Sequence, residues 1–266
     1  MSPSRALFLS ALVVTLGCGA ASSTAPGAQD PERQSEAEYD VARDLWLRRH
    51  QNREALEHAL KAVDLDEENA EAHHLVSLLY LDFCSRGPTD CRLKDAERHA
   101  RRAVELKSDF REAKNTLGVV LIHSKRPAEA VTVLKPLTED ILYQTPENAW
   151  GNLGWAYLEL GKLDLAVDAL RRSIAAQPLF CVGHLRLGLA YERRNEPLSA
   201  KEAFTQALET QAPGCNALQE ALAGRARAHL KLGNPSLAAA DLERCVGLAK
   251  KTQAGKECGS MLEKLK

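Results

Sequence analysis

A single spacing organises this chain. Within residues 147–180 a large aromatic, Trp150, is followed by Leu153-Gly154, Tyr157 and Gly161, then by Ala166, Leu170, Ser173 and Pro178. Apolar residues recur at three- and four-residue steps on both sides of Gly161, the period of a helix with one buried face. The small residues Gly154, Ala166 and Ser173 let two such helices approach closely, and Trp150, Leu153, Tyr157 and Leu170 fill the space between them. Gly161 can take the left-handed backbone that ends a first helix. Pro178 cannot continue a second. The stretch reads as helix, turn, helix.

The frame recurs in phase in both directions. Residues 181–214 carry His184, Leu187-Gly188, Tyr191, Asn195, Ala200, Phe204 and Ala207. Residues 111–146 carry Leu117-Gly118, Leu121, Ala130, Leu134 and Leu137, with two extra residues before Pro146. Residues 36–69 carry Tyr39, Ala42, Trp46, Ala55, Ala59 and Ala62. Residues 70–110 carry His73, Val76-Ser77, Tyr80, Ala96, Ala100 and Ala103, with seven extra residues between the two halves. Residues 219–252 carry Leu222, Ala226, His229, Gly233, Ala238, Leu242 and Cys245, after four extra residues at 215–218. This pattern resembles the tetratricopeptide repeat (TPR), a helix–turn–helix unit of about 34 residues. The resemblance implies an all-α, right-handed superhelical solenoid of six TPR repeats (36–69, 70–110, 111–146, 147–180, 181–214, 215–252) with a capping helix over 253–266. Each unit of such a rod buries its apolar face against its neighbours, so no single core is expected. No segment calls for a strand.

The first residues read differently. Arg5 precedes an apolar run from Ala6 to Leu16, the length of a signal-peptide core and too short to span a membrane. It ends in Thr15-Leu16-Gly17-Cys18. This resembles a bacterial lipobox, with Thr15 standing where leucine is usual three residues before the cysteine. The resemblance implies that residues 1–17 are a signal peptide and that Cys18 carries acyl chains. The other reading is secretion with cleavage near Ala20-Ala21. Gly19 is not the aspartate that retains lipoproteins at the inner membrane, which implies an anchor on the periplasmic face of the outer membrane. Residues 18–35 are small, polar and broken by Pro26 and Pro31, the composition of a flexible linker. Ser35, with Glu38 three residues on, is expected to cap the first helix.

Besides Cys18 the chain holds Cys84, Cys91, Cys181, Cys215, Cys245 and Cys258. Their order suggests neighbouring pairs, although other connectivities are open to them. A Cys84–Cys91 bond would clamp the oversized turn of the second repeat, and Cys245–Cys258 would staple the end cap. Cys181 and Cys215 stand one repeat apart, where packed helices hold α-carbons roughly 8–10 Å from each other, beyond disulfide reach. The extra residues at 215–218 could bring Cys215 back. Buried free thiols are the alternative, which an oxidising periplasm disfavours.

In tetratricopeptide repeats the first helices line the concave face. Carried over unit by unit, the positions that usually point into it are Leu78 and Leu81, Val119 and Ile122, Trp155 and Leu158, then Val182, Leu185 and Leu189. The outer units place charges there instead: Asp40, Asp44 and Arg48 at one end, Arg227 and Lys231 at the other. An apolar trough with charged ends suits an amphipathic segment of another protein, with Trp155 as the anchor. The competing reading buries these residues between the rod's own helices. Gly151, Trp155 and Leu189 stand where some members carry a polar clamp for a C-terminal carboxylate, so that mode is not expected.

Charge and chemistry narrow the function further. The net charge is −1, without the basic stripe that nucleic acid would require. His73, His74, His184 and His229 occupy packing positions of the frame. No metal cluster, haem motif, phosphate cradle or catalytic motif is recognisable, so no cofactor, small-molecule substrate or enzymatic reaction is expected. A six-repeat solenoid behind a lipobox resembles the Tgl/PilF/PilW type of pilotin, outer-membrane lipoproteins that help type IV pilus secretins assemble. The repeat is spelled most fully in Asn152-Leu153-Gly154-Trp155-Ala156-Tyr157-Leu158-Glu159-Leu160-Gly161. The resemblance implies that the rod holds secretin subunits while acylated Cys18 delivers them to outer-membrane lipid, a step towards pilus assembly and twitching motility. A general scaffold lipoprotein for outer-membrane or peptidoglycan assembly is the alternative.

Overall fold

The structure is a computed structural model and describes residues 30–86 and 91–265. Cys18, the signal-peptide segment and most of the linker lie outside these residues. The described chain is helical, without strands, and its helices come in pairs. They are α1 (Pro31–Leu47) with α2 (Asn52–Leu65), α3 (Ala70–Arg86) with α4 (Leu93–Leu106), and α5 (Arg111–His123) with α6 (Pro127–Thr138). The second half adds α7 (Pro146–Glu159) with α8 (Leu163–Ala176), α9 (Cys181–Arg193) with α10 (Pro197–Glu209), and α11 (Gln219–Lys231) with α12 (Pro235–Leu248). A last helix, α13 (Gln253–Glu263), has no partner of its own. None of these helices is long and apolar enough to cross a membrane.

Each helix packs on the next in sequence, and first helices also touch across repeats: α1 on α3, α3 on α5, α5 on α7, α7 on α9 and α9 on α11. The first helices therefore form one layer and the second helices the other, the arrangement of a solenoid. Helix α13 packs on α11 and α12, the place a further first helix would take. It buries Gly255 and Cys258 against them.

The intra-pair turn has a common geometry. His50, Lys125, Gly161, Asn195 and Gly233 all have φ between 57° and 76°. In four of these turns the next amide reaches back five residues: Arg126 to Leu121, Lys162 to Tyr157, Glu196 to Tyr191 and Asn234 to His229, each at 2.9 Å. These bonds satisfy carbonyls that the helix end leaves open. Glycine meets the left-handed requirement twice without strain; His50, Lys125 and Asn195 meet it with a side chain.

Close approach inside each pair depends on a missing side chain. A Cβ on Gly118 would lie 2.5 Å from Leu134, and one on Gly154 would lie 2.6 Å from Leu170. Phe204 is held on two sides, since a Cβ on Gly188 would fall 2.6 Å from its ring and one on Gly224 would fall 2.4 Å from it. The second helices answer with alanines at zero exposure, among them Ala55, Ala59, Ala62, Ala96, Ala100 and Ala103.

The start of the first helix differs from expectation. Helix α1 begins at Pro31, four residues before Ser35, because proline's fixed φ and missing N–H suit a first helical position. Ser35 is not the cap. It is fully buried, donates to the Ala62 carbonyl at 2.8 Å and accepts from Asn69 at 2.9 Å. Residues 31–35 therefore belong to the helix rather than to the linker.

Three disulfides join Cys84 to Cys91, Cys181 to Cys215, and Cys245 to Cys258. The first spans the long turn between α3 and α4. The second ties α9 to a short 3₁₀ turn at Cys215–Ala217, which Gly214 enters with φ 81°. That turn brings the two α-carbons to 5.8 Å, where straight stacking would keep them farther apart. The third pins α13 to α12.

The packing yields a graded prediction. Gly224→Ala drives a methyl into the Phe204 ring and should lower stability by about 2–3 kcal/mol in urea unfolding. Gly161→Ala meets nothing within 4 Å but keeps φ 70°, and should cost about 1 kcal/mol. Gly247→Ala, exposed on α12 with open space around it, should be neutral or slightly stabilising. Equal losses for all three would contradict this account of the packing.

Candidate functional site

The layer of first helices carries the inner-face residues, and the structure divides them. Leu78, Leu81, Val119, Trp155, Val182 and Leu189 remain partly exposed. Ile122 and Leu158 are 1% exposed and Leu185 6%. The expectation that all nine are open on the inner face is thus corrected for Ile122 and Leu158. Ile122 and Leu158 lie at the same point of successive repeats, where the next first helix closes over them and makes them core. Arg193 from α9 reaches back to the Leu158 carbonyl at 2.6 Å, sealing that position. Leu185 sits too deep for an open wall and forms a floor instead.

Three of the open residues, Trp155, Val182 and Leu189, converge in the second half of the rod, and Leu78, Leu81 and Val119 do not join them. A cavity of about 510 Å³ is lined by His123 of α5, Trp155 of α7, Val182, Leu185, Arg186 and Leu189 of α9, Glu220, Ala223 and Arg227 of α11, and Glu257 of α13. Trp155 is its centre. The His123 ring meets the indole edge-to-face at 4.9 Å, and the Arg186 guanidinium lies 4.6 Å from the ring centroid, within cation–π range. Arg186 Nη1 donates to Asn152 Oδ1 at 2.9 Å, and Asn152 Nδ2 donates to Asn115 Oδ1 at 2.9 Å. A polar ladder therefore crosses three first helices beneath the apolar wall. Burial pulls the Arg186 guanidinium down to about 10, while the negative Glu220 acts in the opposite direction.

Arg186 and the two asparagines are site residues that the sequence reading passed over. It tested the inner face at the positions where polar clamps usually stand and found Gly151, Trp155 and Leu189. Asn152 and Arg186 stand one residue past the place of Gly151, and Asn115 stands at that place in the preceding repeat. Asn152 and Arg186 are 34 residues apart, hence equivalent in their repeats, and that coincidence was the available signal. At the ends of the trough the charges pair with one another. Asp44 binds Arg48 and Arg49, and Asp40 faces Arg43. Arg227 binds Glu192 at 2.6 Å and Glu257 at 2.8 Å, and Lys231 donates to Asn195.

The histidines of the second repeat sit in packed surroundings. His74 lies edge-on to Phe110 and shares a 2.9 Å hydrogen bond with Thr116. His73 and His99 share one between their Nδ1 atoms at 2.9 Å. Burial lowers His74 to about 4, opposed by Glu71. Burial, then His73 and Arg98, lowers His99 to about 4, opposed by Asp95. Both rings are therefore neutral in the folded protein where an unfolded chain, with histidine near about 6.5, would already bind protons. Stability is thus fully present above that range and is lost as pH falls towards 4. Urea midpoints measured across this window should drop, by on the order of 2 kcal/mol of stability for each ring. His74→Gln should make the profile shallower while His99 keeps its share, and a flat profile in the unaltered protein would refute the assignment.

The comparisons with known proteins agree with this architecture. Models of the tetratricopeptide repeat match residues 147–178 and 185–251. Over 173 residues the chain is 28% identical to the type IV pilus assembly protein PilF of Pseudomonas aeruginosa, a match that takes in 62% of this chain and 65% of that one. The chain thus spans just under two thirds of that relative. The crystal structure of PilW, a widely conserved type IV pilus biogenesis factor, superposes with a TM-score of 0.68 at 22% identity, covering 84% of this chain and 96% of PilW. The structure of Pseudomonas aeruginosa PilF gives 0.64 at 18%, covering 88% of this chain and all of that one. At such identities the structural likeness establishes the fold: an all-helical solenoid of tetratricopeptide repeats.

Proposed function

We propose that the protein is a pilotin: an outer-membrane lipoprotein, anchored through acylated Cys18, that holds type IV pilus secretin subunits and promotes their localisation and multimerisation at the outer membrane. The observation that carries this reading is the sequence match to PilF, which coincides with a fold likeness reaching 84% of this chain in the case of PilW. The groove around Trp155 supports it, since an apolar wall on a layer of first helices suits a segment of another polypeptide. The work is binding rather than bond-making. Acyl chains on Cys18 would localise the complex, because each buried methylene contributes about 0.8 kcal/mol and several chains give a stable anchor.

General scaffolding is the second reading, favoured by the way the same repeat architecture serves unrelated assemblies. Pull-down from solubilised outer membrane separates the two, with secretin expected here and hydrolases or outer-membrane assembly factors expected of a scaffold.

Deletion from the native cell should abolish heat-stable secretin multimers and pilus-dependent motility. Trp155→Ala should reduce multimer yield by about tenfold while the lipoprotein still fractionates with the outer membrane. Normal multimers in the deletion strain would rule the pilotin reading out.

A further inference from the structure

The arginines of the rod are not alike. Arg111 is paired with Asp140, Arg225 with Asp241, Arg227 with Glu192, Arg193 with Glu159 and Arg194 with Glu196. Beside these five, Arg186 has no carboxylate within ion-pair distance among the described residues, although it is partly buried and lines the groove. Its partners are the Asn152 amide and the face of Trp155. A cation drawn out of water without a counter-charge is costly, and here it is also oriented. Asn115 fixes the Asn152 amide, Asn152 fixes one edge of the guanidinium, and Trp155 covers its face. The remaining N–H groups of a planar fork match the two oxygens of a carboxylate.

We propose that Arg186 is the receptor for one aspartate or glutamate side chain carried within an apolar segment of the partner, whose flanking apolar side chains lie along Trp155, Val182 and Leu189. This rests on the reading of the inner face as a polypeptide groove, and is independent of the partner being a secretin. Three observations select this occupant. Apolar residues of α9 flank Arg186 on both sides, Val182 one turn before and Leu189 one turn after, so the bound chain continues past the carboxylate in both directions. Glu220 also lines the cavity, and its negative charge disfavours a dianion such as phosphate more than a single carboxylate. Glu220 is exposed and makes no ion pair among the described residues, so its field is available to tune the site.

The test uses the purified full-length protein in detergent and fluorescence anisotropy. The probe is a nine-residue peptide of alternating leucine and serine, blocked at both ends, with glutamate at its centre; the control carries glutamine there. The glutamate peptide should bind about tenfold more tightly than the control, the scale of a charge-assisted bond in a shielded site. Arg186→Gln should bring the two affinities together, whatever it does to binding of the control. Glu220→Lys, a change at an exposed residue outside the ladder, should widen the preference, and it carries the test should Arg186→Gln fail to fold. A glutamine peptide with a free C-terminal carboxylate should bind no better than the blocked control. Equal binding of glutamate and glutamine peptides, a preference that survives Arg186→Gln, a ratio unmoved by Glu220→Lys, or tight binding of the free-ended peptide would each overturn the assignment. Absence of binding by every peptide would count against the polypeptide groove itself, whereas equal binding counts against the Arg186 reading alone.

Discussion

Phe204 pressed between Gly188 and Gly224 is the contact on which the second half of the rod depends. One ring spans the interior of its own repeat and the seam with the next, because two first helices each present backbone where a side chain would otherwise stand. The same device, with leucine in place of phenylalanine, recurs at Gly118 with Leu134 and at Gly154 with Leu170. A solenoid has no central core to absorb misfit, so its spacing is set locally, repeat by repeat. Where two helices can approach to backbone distance, the following first helix is placed as well, and with it the wall that carries Trp155 and Arg186.

Much of this was legible in the sequence because it depends on local rules. A small residue in a first helix and a large one in its partner follow from a spacing that needs no knowledge of distant contacts. The left-handed turn was readable at Gly161 and Gly233; at His50 and Lys125 it was hidden, because stacking imposes the same φ on residues that do not advertise it. Ser35 was misplaced for a related reason. Its motif was that of a helix start, yet the Ala62 carbonyl and the Asn69 amide, far along the chain, had claimed its hydroxyl.

The site was less legible than the fold. Inner-face positions can be counted along a repeat, but whether they stay open depends on how far the next first helix leans over them. Ile122 and Leu158 were covered and Trp155 was left partly open. The polar ladder was missed because it exists only across repeats. Asn115, Asn152 and Arg186 belong to three helices and are joined by two hydrogen bonds, neither of which a single repeat contains. The equal places of Asn152 and Arg186 in successive repeats can be counted along the sequence, but the bonds between them and to Asn115 emerge only once the units are stacked.

The placement of the disulfides has a mechanical consequence. The three cross-links enclose residues 84–91, 181–215 and 245–258, and the chain from 92 to 180 carries none. If tension were applied between the ends, those enclosed loops could not pay out. Extension would fall on the unenclosed helices, α1 to α8 apart from the end of α3, and on α11 and most of α12, while the ring between Cys181 and Cys215 would hold α9 and α10 to the start of the following repeat. The wall bearing Val182, Arg186 and Leu189 belongs to that tethered portion. Under such a load the unlinked helices would lengthen before the portion that bears this wall.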